Sequence, residues 1–363
     1  MALYSFKKSS HNWDMLGYMG VIISYDNKDA NFIHDTVYQI AKQQLPAREY
    51  VQLSTGTEYR KKSTASASFF YSQLPFYIVK PLYTGLSYVL YKAGIPIIYT
   101  TTLPSLITYI LIGFLLILWL QNYLTLFLSV AASLLIMVTA PLLNLIKLSS
   151  PDCISAFFLF GAVYFISERK SLALSFLFIV FAVFARLDNV IPGFYLLSFL
   201  FITKNFGKSI SNAKYLFMLL ILSASYMFIA QAANQYGWNS LYYPSFLQHL
   251  NLSYDFQPQF SLADYVALCK SQILTGVYSS HFILFVLLAV VLFIKPVYRK
   301  FVLLSLDQQI VIVMALTIVT RFILQPVVAD RFYIPYYLCI LVFVCKLCSN
   351  YSLSSSVIVA KKP

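Results

Sequence analysis

Apolar residues gather into long runs from Thr101 onward, whereas the first hundred residues alternate polar and apolar positions over short distances. A helix that crosses a membrane needs about 20 predominantly apolar residues. Candidate runs lie at 103–120, 124–146, 153–167, 172–185, 190–202, 215–233, 277–294, 309–324 and 332–347. The shorter ones, 190–202 above all, would borrow flanking residues or thin the bilayer locally. The pattern predicts an all-α polytopic membrane protein with about nine transmembrane helices. It divides into a first region, 1–100, a helical body, 101–348, with a loop at 234–276, and a tail, 349–363.

Within the first region, two amphipathic helices are expected. Asn31 is placed to cap one that runs to Ala41 with Ile33, Val37, Ile40 and Ala41 on one face. Pro81, acceptable in a first helical turn, opens the other. Leu82, Leu86, Val89, Leu90 and Ala93 form its apolar stripe, Tyr83, Tyr88, Tyr91 and Lys92 decorate it, and Gly94 closes it. Tyr and Lys suit the headgroup zone, so this helix is expected to lie along the membrane surface, with packing against protein as the alternative.

Composition agrees with the pattern. The 363 residues are 60% hydrophobic and only 11% charged, against roughly 25% charged in soluble domains. The formal charge of +13 comes without a basic stripe interleaved with aromatics, and nucleic acid is excluded as a partner. Excess Lys and Arg in such a chain set topology and meet anionic headgroups of the lipid bilayer. Arg169-Lys170, then Lys204, Lys208 and Lys214, then Lys295, Arg299 and Lys300, and finally Lys361-Lys362 fall in alternate connections. By the positive-inside rule these are cytoplasmic. Segments 1–100, 147–152, 186–189, 234–276 and 325–331 then face outward. All of the 13 acids except Glu168 and Asp307 lie on that outer side. Acids contribute little to topology, so a site on the outer face is the better account of their bias. An outward first region ordinarily follows a signal or a first span, and Met1–Ser10 has no apolar core. A further helix ahead of Met1 is therefore expected in a full-length relative.

The chemistry concentrates in the outer segments. Asp14, in Asn12-Trp13-Asp14-Met15-Leu16-Gly17-Tyr18, is a carboxylate among aromatics. Partial shielding at an interface raises a carboxyl pKa toward general-base values, although a loop or capping Asp has the same local sequence. Three short outer loops repeat an Asp beside helix ends: Ser150-Pro151-Asp152, Arg186-Leu187-Asp188 and Asp330-Arg331-Phe332-Tyr333. Their arginines suit bidentate binding of a phosphate or carboxylate, or ion pairs that orient helices. Lys80, among Phe76, Tyr77 and Tyr83, either reaches a lipid phosphate or snorkels. The 234–276 segment is rich in Tyr, Trp, Asn and Gln, with His249, Asp255 and Asp264, a mixture suited to carbohydrate. Asn251-Leu252-Ser253 is a glycosylation sequon. Five cysteines give no disulfide framework, and Cys345-Lys346-Leu347-Cys348 reads as packing in an apolar helix. HExxH, Walker A, GxSxG and GxGxxG motifs are absent.

Taken together, the layout resembles the GT-C superfamily of membrane glycosyltransferases, which use polyprenyl-phosphate-linked sugars. Asn12-Trp13-Asp14-Met15-Leu16-Gly17-Tyr18 stands where that family's first-loop acidic motif would be. The run from Gln73 through Lys80-Pro81-Leu82-Tyr83 is similar to its loop into a juxtamembrane helix, and the three Asp loops resemble its short outer loops. The chain departs from the family in having no second acid beside Asp14 and no span before it. The resemblance implies an inverting mannosyl- or arabinosyltransferase-like enzyme in a bacterial inner membrane, with its site on the extracytoplasmic face. It implies Asp14 as catalytic base, Lys80, Arg186 and Arg331 as ligands of the donor phosphate, and Asp152, Asp188 and Asp330 as supporting acids. Trp13, Tyr18, Tyr77 and Tyr333 would be substrate aromatics. The implied partners are a polyprenyl-phosphate-linked sugar and an acceptor glycan, lipid or protein. No tightly bound cofactor is expected, and a divalent metal is left open. A lipid-linked sugar flippase or an inactive relative of these enzymes would use the same charges.

Overall fold

A computed structural model describes residues 11–203, 210–238, 242, 259–279, 286, 289 and 305–359, and every regular element among them is helical. In the first region, α1 (Asp14–Ser24) is followed by α2 (Ala30–Gln44), α3 (Ala47–Thr55), α4 (Glu58–Ala65), α5 (Ala67–Ser72), α6 (Pro75–Ile78) and α7 (Pro81–Lys92). The remaining helices are α8 (Ile97–Leu120), α9 (Leu126–Met137), α10 (Ala140–Lys147), α11 (Asp152–Ser167), α12 (Leu172–Ala185), α13 (Val190–Thr203), α14 (Asn212–Ala232), α15 (Leu262–Ser279), α16 (Leu306–Leu324) and α17 (Ile334–Val359).

Three of these, α8, α14 and α16, are long and apolar enough to cross a membrane. The α9–α10 pair makes a fourth if it counts as one span bent by 64°. The expected runs at 153–167, 172–185 and 190–202 do form apolar helices, but as pieces of 10–17 residues, and the 332–347 run forms the apolar first part of α17, Ile334–Lys346. Only a few residues of the 277–294 run are described. The 234–276 segment, expected to be a loop, contains most of the 18-residue helix α15. His249, Asp255, the sequon, Lys204, Lys208 and the basic clusters around Lys295 and Lys361 lie outside the described residues, whereas Lys214 stands in the first turn of α14.

Two hydrophobic cores result. The first is built on α1, whose residues from Met15 to Ser24 are all buried. Gly17 and Gly20 make this possible: a Cβ at Gly17 would stand 2.4 Å from the Tyr77 ring, and one at Gly20 2.8 Å from Leu74. The α2 helix buries Ile33, Val37 and Ala41 as its periodicity requires. Its cap, however, is Asp29 and not Asn31: the Asp29 carboxylate accepts from Phe32 N at 2.7 Å, leaving Asn31 inside the first turn. The α7 helix starts at Pro81 and ends at Lys92, and Gly94 follows with a φ of +89° that suits the left-handed turn that stops a helix. It turns Tyr83, Thr84 and Ser87 toward the protein, while Leu86 and Val89 of its apolar stripe are exposed.

The second core joins α8 to α11–α14, α16 and α17. The α11–α12 hairpin packs closely because Gly161 admits the Phe178 ring. At one end of the bundle Glu168 accepts from Trp119 Nε1 (3.1 Å) and from the Tyr123 hydroxyl, and Lys346 Nζ lies 2.6 Å from Asp307. The opposite end meets the first region.

Candidate active site at the junction of the two cores

Asn12 fixes the start of the site. Its side-chain Nδ2 donates to Asp14 Oδ2 at 3.1 Å, and its side-chain Oδ1 accepts from Ser149 N at 3.1 Å. The 149–151 turn is itself held to α8, through Thr101 Oγ1 with Ser149 Oγ (3.0 Å) and Ser105 Oγ donating to Ser150 O (3.1 Å). Asp14 and Asp152, far apart in sequence, therefore share one scaffold. On the next turn, α12 ends at Arg186, where the backbone becomes extended, and a short 3-10 turn follows at Leu187–Asn189. Asn189 pins this turn by donating to Ser155 Oγ (2.8 Å) and Ala182 O (2.6 Å).

The charged groups then interlock. Arg186 donates to Asp152 through Nη1 and grips both oxygens of Asp188 through Nε and Nη2 at 3.1 Å each. Arg321, near the end of α16, pairs with Asp188 and donates to Phe332 O at 2.8 Å. Arg331 reaches Asp152 at 3.7 Å and Asp14 at 3.8 Å. The Phe332 ring lies among three guanidinium groups, with its centroid 4.5 Å from Arg186, 4.8 Å from Arg331 and 4.9 Å from Arg321. Lys80 Nζ sits 5.3 Å from the ring centroids of both Tyr18 and Tyr77 and donates to Phe76 O at 2.9 Å.

These groups line a single cavity of about 600 Å³, joined by Tyr226, Gln235, Trp238 and Gln325. Exposure sorts the groups by what they are free to do. Asp152, Arg186 and Arg321 are almost fully covered, whereas the side chains of Asp14 and Arg331 remain about one-third exposed, at 35% and 32%. The lining holds three carboxylates (Asp14, Asp152, Asp188) and four cations (Lys80, Arg186, Arg321, Arg331), so one positive charge is in excess. Burial opposes the Arg186 charge, but Asp188 and Asp152 more than offset it and hold its pKa above the ordinary value. Burial likewise opposes ionisation of Asp188, yet Arg186 and Arg321 keep it well below the usual carboxylate range. For Lys80, lost hydration outweighs the attraction of Asp14 and lowers its pKa to about 8.

Of the residues expected from sequence, Asp14, Tyr18, Lys80, Asp152, Arg186, Asp188 and Arg331 converge on the cavity. Trp13, Tyr77, Asp330 and Tyr333 are not in its lining. Trp13 meets Tyr59 edge-on at 5.7 Å with Arg60 over its ring, and Tyr77 packs edge-on against Tyr18 at 5.0 Å. Tyr333 is fully buried and donates to Val327 O at 2.9 Å, and Asp330 accepts from the Tyr337 hydroxyl at 3.2 Å. Arg321, Phe332, Gln235, Trp238 and Gln325 are lining residues that sequence reading passed over. A lone Arg in an apolar span is a signal that could have found the first of them. Among the described residues no group of three His, Cys, Asp or Glu side chains is placed to hold a metal ion.

No family model matches the chain, and no significant match to a curated protein or a solved structure was found.

Proposed function

We propose that the protein is a membrane glycosyltransferase that moves a sugar from a polyprenyl-phosphate donor to an acceptor hydroxyl. The observation that carries this reading is the pairing of partly exposed Asp14 with partly exposed Arg331 at the mouth of a cavity bearing excess positive charge. A carboxylate with an open face beside cations suits a base that works next to an anionic leaving group. The resemblance of the Asp14 motif and the Asp loops to GT-C enzymes supports the same reading. In that setting the short apolar helices α11, α12 and α13 and the apolar first part of α17, Ile334–Lys346, bring the count toward the expected nine spans by borrowing flanking residues or by local thinning of the bilayer. The cavity then faces the extracytoplasmic side of a bacterial inner membrane, where the donor's lipid tail stays in the bilayer.

The chemistry follows from the placement. Asp14 accepts the proton of the acceptor hydroxyl as that oxygen attacks the anomeric carbon. The bond from that carbon to the phosphate oxygen breaks, and its electron pair leaves with the polyprenyl phosphate. The anomeric centre inverts. Arg331 and Lys80, the cations with donors to spare, receive the charge that grows on the phosphate, while Arg186 contributes to the field but keeps its hydrogen bonds to Asp152 and Asp188. Membranes carrying the protein are incubated with a radiolabelled polyprenyl-phosphate sugar. Transfer to a membrane acceptor is expected, and Asp14→Asn should lower it by about 100-fold or more, the usual share of a general base. Movement of the donor across the bilayer without transfer would identify a flippase. Near-normal transfer by the Asp14→Asn variant would remove Asp14 from the role.

A further inference from the structure

The cavity has a second, uncharged wall for which the transfer chemistry assigns no task. Part of it is the 233–238 segment that follows α14. The Tyr236 hydroxyl donates to Ser72 O at 2.9 Å and its ring packs on Phe76, which ties the segment to the first region. Trp238 donates through its indole N–H to Leu324 O at 2.6 Å, which ties the segment to α16. Asn234 and Gly237 both have positive φ, at +48° and +91°, so the chain turns before and after Gln235-Tyr236. A strap anchored on two separate units thus presents Gln235 to the cavity between them. Gln325, the first residue after α16, and Trp238 complete this wall. Neither Gln235 nor Gln325 makes a side-chain hydrogen bond among the described residues.

An unengaged primary amide offers two donor protons and two acceptor lone pairs, which is the complement of a pair of neighbouring hydroxyls. None of Gln235, Gln325 and Trp238 carries a charge, so these three side chains themselves offer a carboxylate or ammonium group no opposite charge. We propose that Gln235, Gln325 and Trp238 form the subsite for the transferred glycosyl ring, and that the ring is a neutral hexosyl or pentosyl group. This inference rests on the glycosyltransferase reading, with the cations holding the phosphate and the amides reading the sugar hydroxyls.

Binding to the purified full chain in lipid nanodiscs separates the two. The probes are bare polyprenyl phosphate and its mannosyl, glucosyl, arabinosyl, glucuronosyl and glucosaminyl esters. At least one neutral ester should bind more tightly than the bare phosphate and than both charged esters. Gln235→Ala and Gln325→Ala, on independent elements, should each weaken that ester by about 5- to 10-fold, the effect of one or two neutral hydrogen bonds. Each should leave affinity for bare polyprenyl phosphate unchanged, which also reports that the variant is folded. Equal loss for bare phosphate and ester, or preference for a charged sugar, overturns the subsite while leaving the phosphate site standing. Failure of the wild-type chain to bind bare polyprenyl phosphate overturns the glycosyltransferase reading and the subsite with it.

Discussion

Removing the Asp188 carboxylate is the sharpest perturbation of this site. Asp188 serves two buried arginines at once, accepting two hydrogen bonds of 3.1 Å from Arg186 and pairing with Arg321. With Asp152 the four groups sum to zero charge, and Asp188→Asn leaves one buried guanidinium in excess. A charge pair at 3.1 Å attracts with about 5 kcal/mol at an effective dielectric constant of about 20. Most of that attraction offsets desolvation in the intact protein. When one partner goes, the desolvation stays, and breaking a buried pair costs about 3–5 kcal/mol. Arg321→Met alone strands Asp188 against a single arginine and should cost about as much by the same reasoning. The double variant, Asp188→Asn with Arg321→Met, restores neutrality, so its loss should fall well short of the sum of the two. Unfolding titrations of the purified protein in mixed micelles, run as a double-mutant cycle, measure the coupling directly. Strictly additive losses, or a loss below about 1 kcal/mol for Asp188→Asn, would show that this network behaves as a surface array and would refute the reasoning.

The helical architecture was legible because apolar runs and their interruptions are a local property, and α8, α14 and α16 stand where long runs stood. Helix ends were legible where one residue type decides them, as with Pro81 and Gly94, and misread where two candidates compete: Asp29, whose side chain accepts from Phe32 N, takes the cap expected of Asn31. The site was legible as a set of charged loops on one side, and the fold brings Asp14, Lys80, Asp152, Arg186, Asp188 and Arg331 to one cavity. Sequence could not divide these by task. Whether an arginine binds a ligand or is consumed by its neighbours depends on through-space partners, and only the geometry separates Arg186, saturated by two carboxylates, from Arg331, held at 3.7 Å or more from both of its own. Tyr333 illustrates the reverse error, an aromatic beside a site motif whose ring the core absorbs completely.

The two ends of the bundle carry different work. At the end away from the cavity, Glu168 and Asp307 are bridged by Ser167 Oγ, which lies 3.1 and 3.0 Å from their oxygens, and Lys346 joins them. This ties α11, α16 and α17 together by hydrogen bonds that reach no cavity residue. At the cavity end the corresponding ties are the arginine–aspartate network and the 233–238 strap. The helix termini that shape the cavity are therefore braced by the same groups that give it charge, so substitutions there change stability and ligand affinity together. Separating those effects requires variants that keep charge and alter only its placement.

Two further expectations use such variants. The Lys80 ammonium, with a pKa lowered to about 8, is charged below that pH and neutral above it. If it holds the donor phosphate, kcat/KM for the donor should be level below pH 8 and fall as the pH rises through 8 toward 9. Lys80→Arg should flatten this limb of the profile, because a guanidinium stays charged; an unchanged alkaline limb in that variant would assign the titration to another group. Phe332→Leu keeps the backbone carbonyl that accepts from Arg321 and removes only the ring beside Arg186, Arg321 and Arg331. Desolvated cation–π contacts are worth about 2 kcal/mol or more each. Donor kcat/KM should fall by about 10-fold or more, because Arg331 both holds the phosphate and receives the charge that grows on it. Phe332→Trp, which keeps a π face of greater strength, should restore kcat/KM. An unchanged kcat/KM in Phe332→Leu, or no recovery with Trp, would mean that the ring only fills space and that the arginines find their places without it.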